Sequence, residues 1–338
     1  MKPIRQIVGA LLFDMPRTRA ALRKPEGWVN VTNRVDIISR SSDPTGIRCL
    51  SESTSSLHVC DIFPSVGRKL FQRALQTWSF EMAKTVRFSE NPQFSFVIPH
   101  RGAERQPLLE ATIRSIAALS GEVECIVVEQ DERPQLRNLP GNVRHLHAPH
   151  PVENNSWHKS FAFNQGVKEA RAEIVICHDG DIAVPSNYLD VIRTHLIHRK
   201  QEVIFPQRFL FYLKQPTTSQ ILKQQNLSSL FDAIPEMVKQ NWTGGTLAIT
   251  KHAYWKVGGF DESFTGWTGE DREFYDRCET LDGWFFGYVP FVHFWHPPQP
   301  GRVTPLMRQQ ALNFTKSRLA VDRAERVRQL TATRGTAK

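Results

Sequence analysis

An apolar run, Ile174-Val175-Ile176-Cys177, ends at His178 and then at two carboxylates separated by one glycine, Asp179-Gly180-Asp181. A run this short and this rich in β-branched residues reads as a buried strand. In sheets built from such strands, ligands collect beyond the carboxyl ends, which is where the acidic triplet falls. Two hard oxygen ligands on one loop suit Mg²⁺ or Mn²⁺, an ion normally shared with phosphate oxygens. Asp and Gly are also common turn formers, so the triplet by itself is equally compatible with an ordinary turn.

The surrounding pattern decides the fold class. From Phe94 the chain alternates strand, helix, strand: Phe94–Ile98 closed by Pro99, a helix over Leu108–Leu119, a strand over Glu124–Val128, a short one over Val143–Leu146, and a helix over Ser160–Ala170. This predicts an α/β protein with a mixed, mostly parallel sheet flanked by helices. Pro99-His100-Arg101, Glu129-Gln130-Asp131 and the acidic triplet then converge on one crevice. Residues 1–90 lack this alternation and are expected to form a small accessory region, with a strand or two in Val29–Ile38 and a helix in Arg68–Phe80. The polar stretch Phe209–Gln240, with Pro216 and Pro235, is expected to be an irregular insertion or flap over the crevice. Gly244-Gly245 opens a further apolar run to Thr250, and Gly266-Trp267-Thr268-Gly269-Glu270-Asp271 leads into a helix through Cys278. Thr304 before Pro305 is an N-cap signal for a long basic C-terminal helix, with Leu306, Leu312, Leu319 and Val327 as part of its buried face.

Composition narrows the partners. The chain has 43 basic against 34 acidic residues, a net charge of +9. The basic residues are scattered rather than strung with aromatics, which argues against nucleic acid and for a general attraction to phosphates, leaving room for peripheral contact with a membrane. The five cysteines are odd in number and include no Cys-x-x-Cys pair, so zinc and redox chemistry are not indicated. Cys125 and Cys177 lie in apolar runs and read as small buried hydrophobes, consistent with a cytoplasmic protein, peripheral at most to the inner face of the membrane. The apolar opening Ile7–Phe13 is too short to span a bilayer, and Asp14 ends it without a cleavage signal.

Glu270-Asp271 forms a second acidic cluster at a helix start, where backbone amides stabilise carboxylates. Such residues cap helices routinely, and one of them can instead take a proton from a sugar or alcohol hydroxyl. Taken in order, the motifs from about Phe94 to Pro298 resemble nucleotide-sugar glycosyltransferases of the GT-A type, family 2-like, in particular the β-1,4-galactosyltransferase group and bacterial chondroitin-polymerase-like enzymes. The resemblance divides the chain into a region 1–90 of unassigned role, a transferase domain over 91–303, and a basic helix and tail over 304–338. Within the domain, 91–185 would bind nucleotide and metal, and 241–298 the acceptor and the catalytic base.

What the resemblance implies for single residues follows the motifs. Pro99 and Arg101 would contact the nucleotide, Glu129 and Asp131 would lie beside the uridine, and Asn164 would contribute from the helix before the metal loop. Asp179-Gly180-Asp181 resembles a DxD motif, with Asp181 the direct ligand of Mn²⁺ or Mg²⁺ and Asp179 near the donor sugar and the metal. Gly244-Gly245 is similar to the glycine pair beside the donor sugar. Gly266 to Asp271 is similar to Gly-Trp-Gly-Gly-Glu-Asp with Thr268 in place of one glycine, which implies Asp271 as catalytic base and Trp267 and Glu270 as acceptor contacts. Trp295-His296-Pro297-Pro298 resembles the terminal motif whose histidine completes the metal site. Between His293 and His296, strand alternation puts the two on opposite faces, so His296 is preferred and His293 is expected to be structural. The implied activity is inverting transfer of a hexose or N-acetylhexosamine from a UDP-sugar to a glycan or lipid-linked glycan, in bacterial surface polysaccharide synthesis. A non-catalytic sugar-binding module and a sugar-nucleotide pyrophosphorylase are the alternatives; the second lacks the glycine-rich triphosphate loop it would need after the first strand.

Overall fold

The computed structural model describes residues 4–36, 54–119, 122–149, 157–266, 269–297 and 304–335. Its strands, in chain order, are β1 (Ser55–Ser56), β2 (Phe94–His100), β3 (Val123–Glu129), β4 (Arg144–His147), β5 (Ile174–His178), β6 (Ile182–Ala183), β7 (Val203–Ile204), β8 (Gln207–Tyr212), β9 (Met237–Gln240), β10 (Thr246–Thr250), β11 (Gly283–Trp284) and β12 (Val289–His293). They form a seven-stranded sheet in the order β11-β7-β10-β5-β2-β3-β4 and a five-stranded sheet in the order β1-β9-β8-β12-β6.

Four of the six pairings in the large sheet are parallel, so the expected mixed, mostly parallel α/β architecture is what the chain adopts. The chain steps outward from β2 to β3 to β4, then returns to place β5 on the other side of β2. Carboxyl ends of strands on either side of such a reversal cannot be closed over by one crossover, and a crevice remains between them. His100 at the end of β2 and Asp179 just after β5 border it. Side-chain alternation splits the core by face: Phe96, Ile98, Cys125, Val127 and Ile176 pack on one side, Val97, Ile126, Val128, Val175 and Cys177 on the other. The helix Lys159–Glu169 covers the second side, and a Cβ at Gly166 would stand 2.2 Å from Val97 Cγ1, so only glycine lets the helix lie this close. Cys60, Cys125, Cys177 and Cys278 are free and buried, as small hydrophobes should be, while Cys49 lies outside the described residues.

Three expectations need correction. Phe209–Gln240 is not an irregular flap. It contains most of β8, a helix over Gln215–Gln224 and β9, and β8 is central in the small sheet, parallel to β12 and antiparallel to β9. The strands are short and their partners distant in sequence, so local composition carried little of this. Val29 and the residues after it form no strand: Pro25–Asn30 is a 3₁₀ helix, residues 31–36 are coil and turn, and 37–38 lie outside the described residues. The N-terminal segment is also stitched into the rest. Buried Arg208 of β8 donates to the carbonyls of Val29 at 2.6 Å and Val31 at 2.7 Å, and β1 pairs with β9. The Arg68–Phe80 helix is present as Pro64–Thr77, burying Leu70, Phe71 and Ala74.

Thr304 caps the C-terminal region as expected, accepting from the Met307 amide at 3.3 Å, but the single long helix is two, Pro305–Ala320 and Arg323–Gly335. Leu306 and Leu312 are 68% and 55% exposed rather than part of a buried face. The second helix clamps the helix Glu270–Cys278 through buried charge. Glu273 accepts from Arg277 at 2.7 Å and from Arg326 at 2.5 Å, and Arg326 also pairs with Asp276. Removing one member of such a group leaves uncompensated buried charge, which costs about 3–5 kcal/mol. Glu273→Ala should therefore lower the unfolding free energy by about that amount in urea titrations, whereas a loss under about 1 kcal/mol would mean the clamp is only a solvated surface pair.

Candidate active site

The acidic triplet and the last strand meet because of one pairing. β6 begins immediately after Asp181 and runs antiparallel to β12 with Ile182 opposite His293, and the Phe294 amide donates to the Asp181 carbonyl at 2.8 Å. His293 Nε2 lies 3.5 Å from Asp181 Oδ1 and His296 Nε2 lies 3.3 Å from Oδ2. Ligand atoms of Asp181, His293 and His296 all fall within 4.8 Å of one another. His296 thus stands at Asp181 as expected and His293 joins it: regular strand geometry stops at His293, so alternation does not govern the turn that carries His296 back to the same side.

Each ring is held. His293 stacks on Tyr212 with centroids 4.2 Å apart, and His296 Nδ1 donates to the Pro297 carbonyl at 2.8 Å. That bond fixes the ring so that Nε2 faces the Asp181 carboxylate. Asp181 Oδ1 is buried without a hydrogen bond among the described residues. Burial works against ionising Asp181, yet His293, His296 and Arg105 together hold its carboxyl below the usual range. One carboxylate and two imidazoles facing a common point fit a divalent ion, and Mn²⁺ accepts this mixed oxygen and nitrogen set more readily than Mg²⁺.

Asp179 points elsewhere. Its Oδ1 meets Lys159 Nζ at 2.8 Å, and the same ammonium lies 3.0 Å from Asp271 Oδ2 and 4.0 Å from Glu270 Oε1. Its carboxylate is thus paired with Lys159 and is not part of the Asp181, His293, His296 cluster. Burial would lower the Lys159 pKa, but Asp179, Asp271 and Glu270 hold it well above normal, so the ammonium stays charged. One cation is shared by three carboxylates. Burial, with Glu270 and Asp179 nearby, outweighs Lys159 at Asp271 and pushes its pKa up to about 7.

Backbone geometry explains the glycines. β10 pairs antiparallel with β5, and the Asp179 amide donates to the Gly245 carbonyl at 2.8 Å. A Cβ at Gly244 would come within 2.2 Å of Asp271 Oδ2, and Gly245 has φ +94°, so the pair lets the acidic helix close on the triplet. Pro99, Arg101, Arg105, Lys159, Asp179 and Asp181 line a narrow pocket at the crevice. Lys159, Asp179 and Asp181 also border a cleft of about 890 Å³ that adds Glu270, Asp271, Gly244, Gly245, Tyr212, Trp242, Trp295 and both histidines.

Most of the expected residues meet here, but Asn164, Glu129 and Asp131 line neither space. Asn164 is fully buried, donating to the Phe260 carbonyl at 2.9 Å and to Glu262, and accepting from Tyr254. Glu129 is fully buried, accepting from the Leu136 amide at 3.0 Å and paired with His145 at 2.7 Å. In both, the polar atoms are engaged in fixing neighbouring loops, away from the two spaces described above. Asp131 accepts from the Gly102 amide at 2.9 Å and so positions the loop carrying Arg101. Trp267 and Thr268 lie outside the described residues. Lys159 and Arg105 were not singled out by sequence. Arg105 pairs with Asp181 at 2.7 Å, and the only sequence signal for either is a lone basic residue beside a strand end or helix start.

The chain is similar to known proteins over the same stretch. Residues 95–254 match the model of glycosyl transferase family 2, and residues 234–288 match the model described as the N-terminal domain of galactosyltransferase. A relative, chondroitin synthase of Escherichia coli, is 35% identical over 74 residues, which is 22% of this chain and 11% of that protein. Among solved structures, S. aureus TarS 1–349 in complex with UDP-GlcNAc aligns over 71% of this chain and 71% of its own, with 14% identity and a TM-score of 0.45. The mannosyltransferase PcManGT from Pyrobaculum calidifontis, in complex with GDP-Man and Mn²⁺, aligns over 81% of this chain and 82% of its own, with 14% identity and a TM-score of 0.39. The stretch that carries the site, residues 95–288, is thus similar to glycosyl transferase family 2 and, in its last part, to a galactosyltransferase domain.

Proposed function

We propose that the chain is a metal-dependent, inverting glycosyltransferase that moves a hexose or N-acetylhexosamine from a UDP-sugar to a glycan or lipid-linked glycan hydroxyl in bacterial surface polysaccharide synthesis. The observation that carries the proposal is the placement of the Asp181, His293, His296 cluster and the Asp271 carboxylate along one cleft, joined through Lys159 and Asp179. The chondroitin synthase relative, by its name, supports a polysaccharide product.

Asp181, His293 and His296 would hold the divalent ion, which when bound supplies neutralisation of the negative charge on a departing diphosphate. Arg101 and Arg105 line the narrow pocket beside them and give it the positive character a nucleotide needs. Arg105, paired with Asp181 at the edge of this pocket, would be within reach of phosphate oxygens there. Asp271 lines the wider cleft and not the narrow pocket, and there the rings of Tyr212, Trp242 and Trp295 offer apolar faces to an acceptor sugar. There it takes the proton of the attacking hydroxyl, and attack on the face opposite the leaving group inverts the anomeric centre. Lys159 fixes Asp271 and Asp179 relative to one another, and Glu270 turns back to its own helix start by accepting from the Gly269 amide at 3.1 Å. An Asp271 pKa of about 7 suits a base that works near neutrality.

Purified protein with Mn²⁺ and a panel of UDP-sugars should release UDP only when an acceptor glycan is present, and product from an α-linked donor should be β-linked; exclusively α-linked product would overturn the inverting assignment. In calorimetric titrations, Asp181→Ala, His293→Ala and His296→Ala should each weaken Mn²⁺ binding by at least about tenfold, and Asp179→Ala distinctly less. Equal losses from Asp179 and His293 would return Asp179 to the ligand set. Asp271→Asn should retain donor binding and lose about 10²–10⁴-fold in kcat. Because the base acts when ionised, kcat/KM should rise with pH through about 7. Lys159 favours the ionised form, so Lys159→Met should move that rise to higher pH and cost most on the acid side; an unchanged profile would remove Lys159 from the account.

A further inference from the structure

The N-terminal helical segment Ile4–Ala21 presents two very different sides. Ala10, Asp14, Met15, Thr18 and Leu22 are buried against the rest of the chain. Ile4, Val8, Leu11, Leu12 and Phe13 are 79%, 46%, 48%, 63% and 58% exposed. Ile4, Val8, Leu11 and Leu12 are spaced by four, seven and eight residues, so they share a face of the helix. Large apolar side chains clustered in this way on one exposed helix mark a contact surface.

The charges around the stripe carry one sign. Arg5, Arg17, Arg19, Arg23 and Lys24 are exposed and make no ion pair among the described residues. Asp14 is turned inward and paired with Arg34 at 2.7 Å, which leaves Glu26 as the exposed acid of the segment. We propose that residues 4–24 lie in the surface of an anionic lipid bilayer, with Ile4, Val8, Leu11, Leu12 and Phe13 entering the acyl boundary and the basic groups meeting the headgroups. A second copy docked face to face would oppose like charges, which disfavours self-association through this surface. The segment also lies close to the acceptor cleft. The helix His58–Ile62 packs on Ala10–Asp14 and carries Asp61, which lines that cleft with Thr54. An enzyme held by this segment would therefore keep its acceptor side near the bilayer, where a lipid-linked glycan would reside. The docking itself stands independently of the metal and donor assignments, since its readout is lipid binding.

The test is sedimentation of the full chain with vesicles of phosphatidylcholine alone and of phosphatidylcholine with about 30% phosphatidylglycerol, at low salt and at about 0.5 M NaCl. The protein should sediment with the mixed vesicles at low salt, and much less with neutral vesicles or at high salt. Arg17→Ala/Arg19→Ala/Arg23→Ala should weaken binding on the order of a hundredfold, and Leu12→Ser/Phe13→Ser by at least about tenfold. All five positions are exposed, so both variants should keep the parent's circular dichroism and melting profile. Absence of binding to the mixed vesicles would overturn the proposal, as would binding that neither variant weakens. A dimer or an acidic protein complex that these substitutions dissolve, with no vesicle binding, would assign the surface to a protein partner instead.

Discussion

The pairing of β6 with β12 is the constraint on which the rest of the site depends. A strand of two residues directly after the acidic triplet is a weak element by itself. Laid antiparallel on β12, it fixes Asp181 against His293 and brings the following turn, with His296, to the same carboxylate. The small sheet that supports β12 is anchored in turn by buried Arg208, whose guanidinium satisfies carbonyls of the N-terminal segment. Residues far from the chemistry thereby hold the geometry of the cluster. A pair that dropped out of register by one residue would turn His293 to the other face and dissolve it.

Electrostatics divides the cleft into two functional sides. Three carboxylates around one buried ammonium cannot all be fully compensated, and the shortfall appears at Asp271, whose proton affinity rises into the neutral range. At Asp181 the balance is reversed, because two imidazoles and Arg105 surround a single carboxylate. Two acidic residues on one cleft therefore differ in proton affinity, which suits the proposed division between holding a cation and exchanging a proton. The clamp of Glu273 with Arg277 and Arg326 serves the second side by fixing the helix from which Asp271 projects.

Much of this was legible in the sequence where the signal was local. The strand and helix alternation from Phe94, the triplet at the end of β5 and the acidic helix start each follow from patterns a few residues long, and the α/β class follows from their order. What was not legible depends on pairing across long separations. The small sheet joins β1, β9, β8, β12 and β6, drawn from residues 55 to 293, and its short strands gave no local reason to be read as one sheet. His293 was set aside by applying strand alternation across a residue at which the strand ends. Asn164 and Glu129 sit beside motif residues, yet their side chains turn inward to satisfy backbone amides and carbonyls, a choice made by packing. Lys159 became visible as the hub only once three distant carboxylates were seen to converge on it.

The most direct test of the account is pulsed electron paramagnetic resonance of Mn²⁺ bound to the protein in the presence of UDP. The pairing of β6 with β12 predicts hyperfine coupling to two imidazole nitrogens, one of which disappears in His293→Gln and the other in His296→Gln. A signal showing only oxygen coordination, unchanged in both variants, would contradict it.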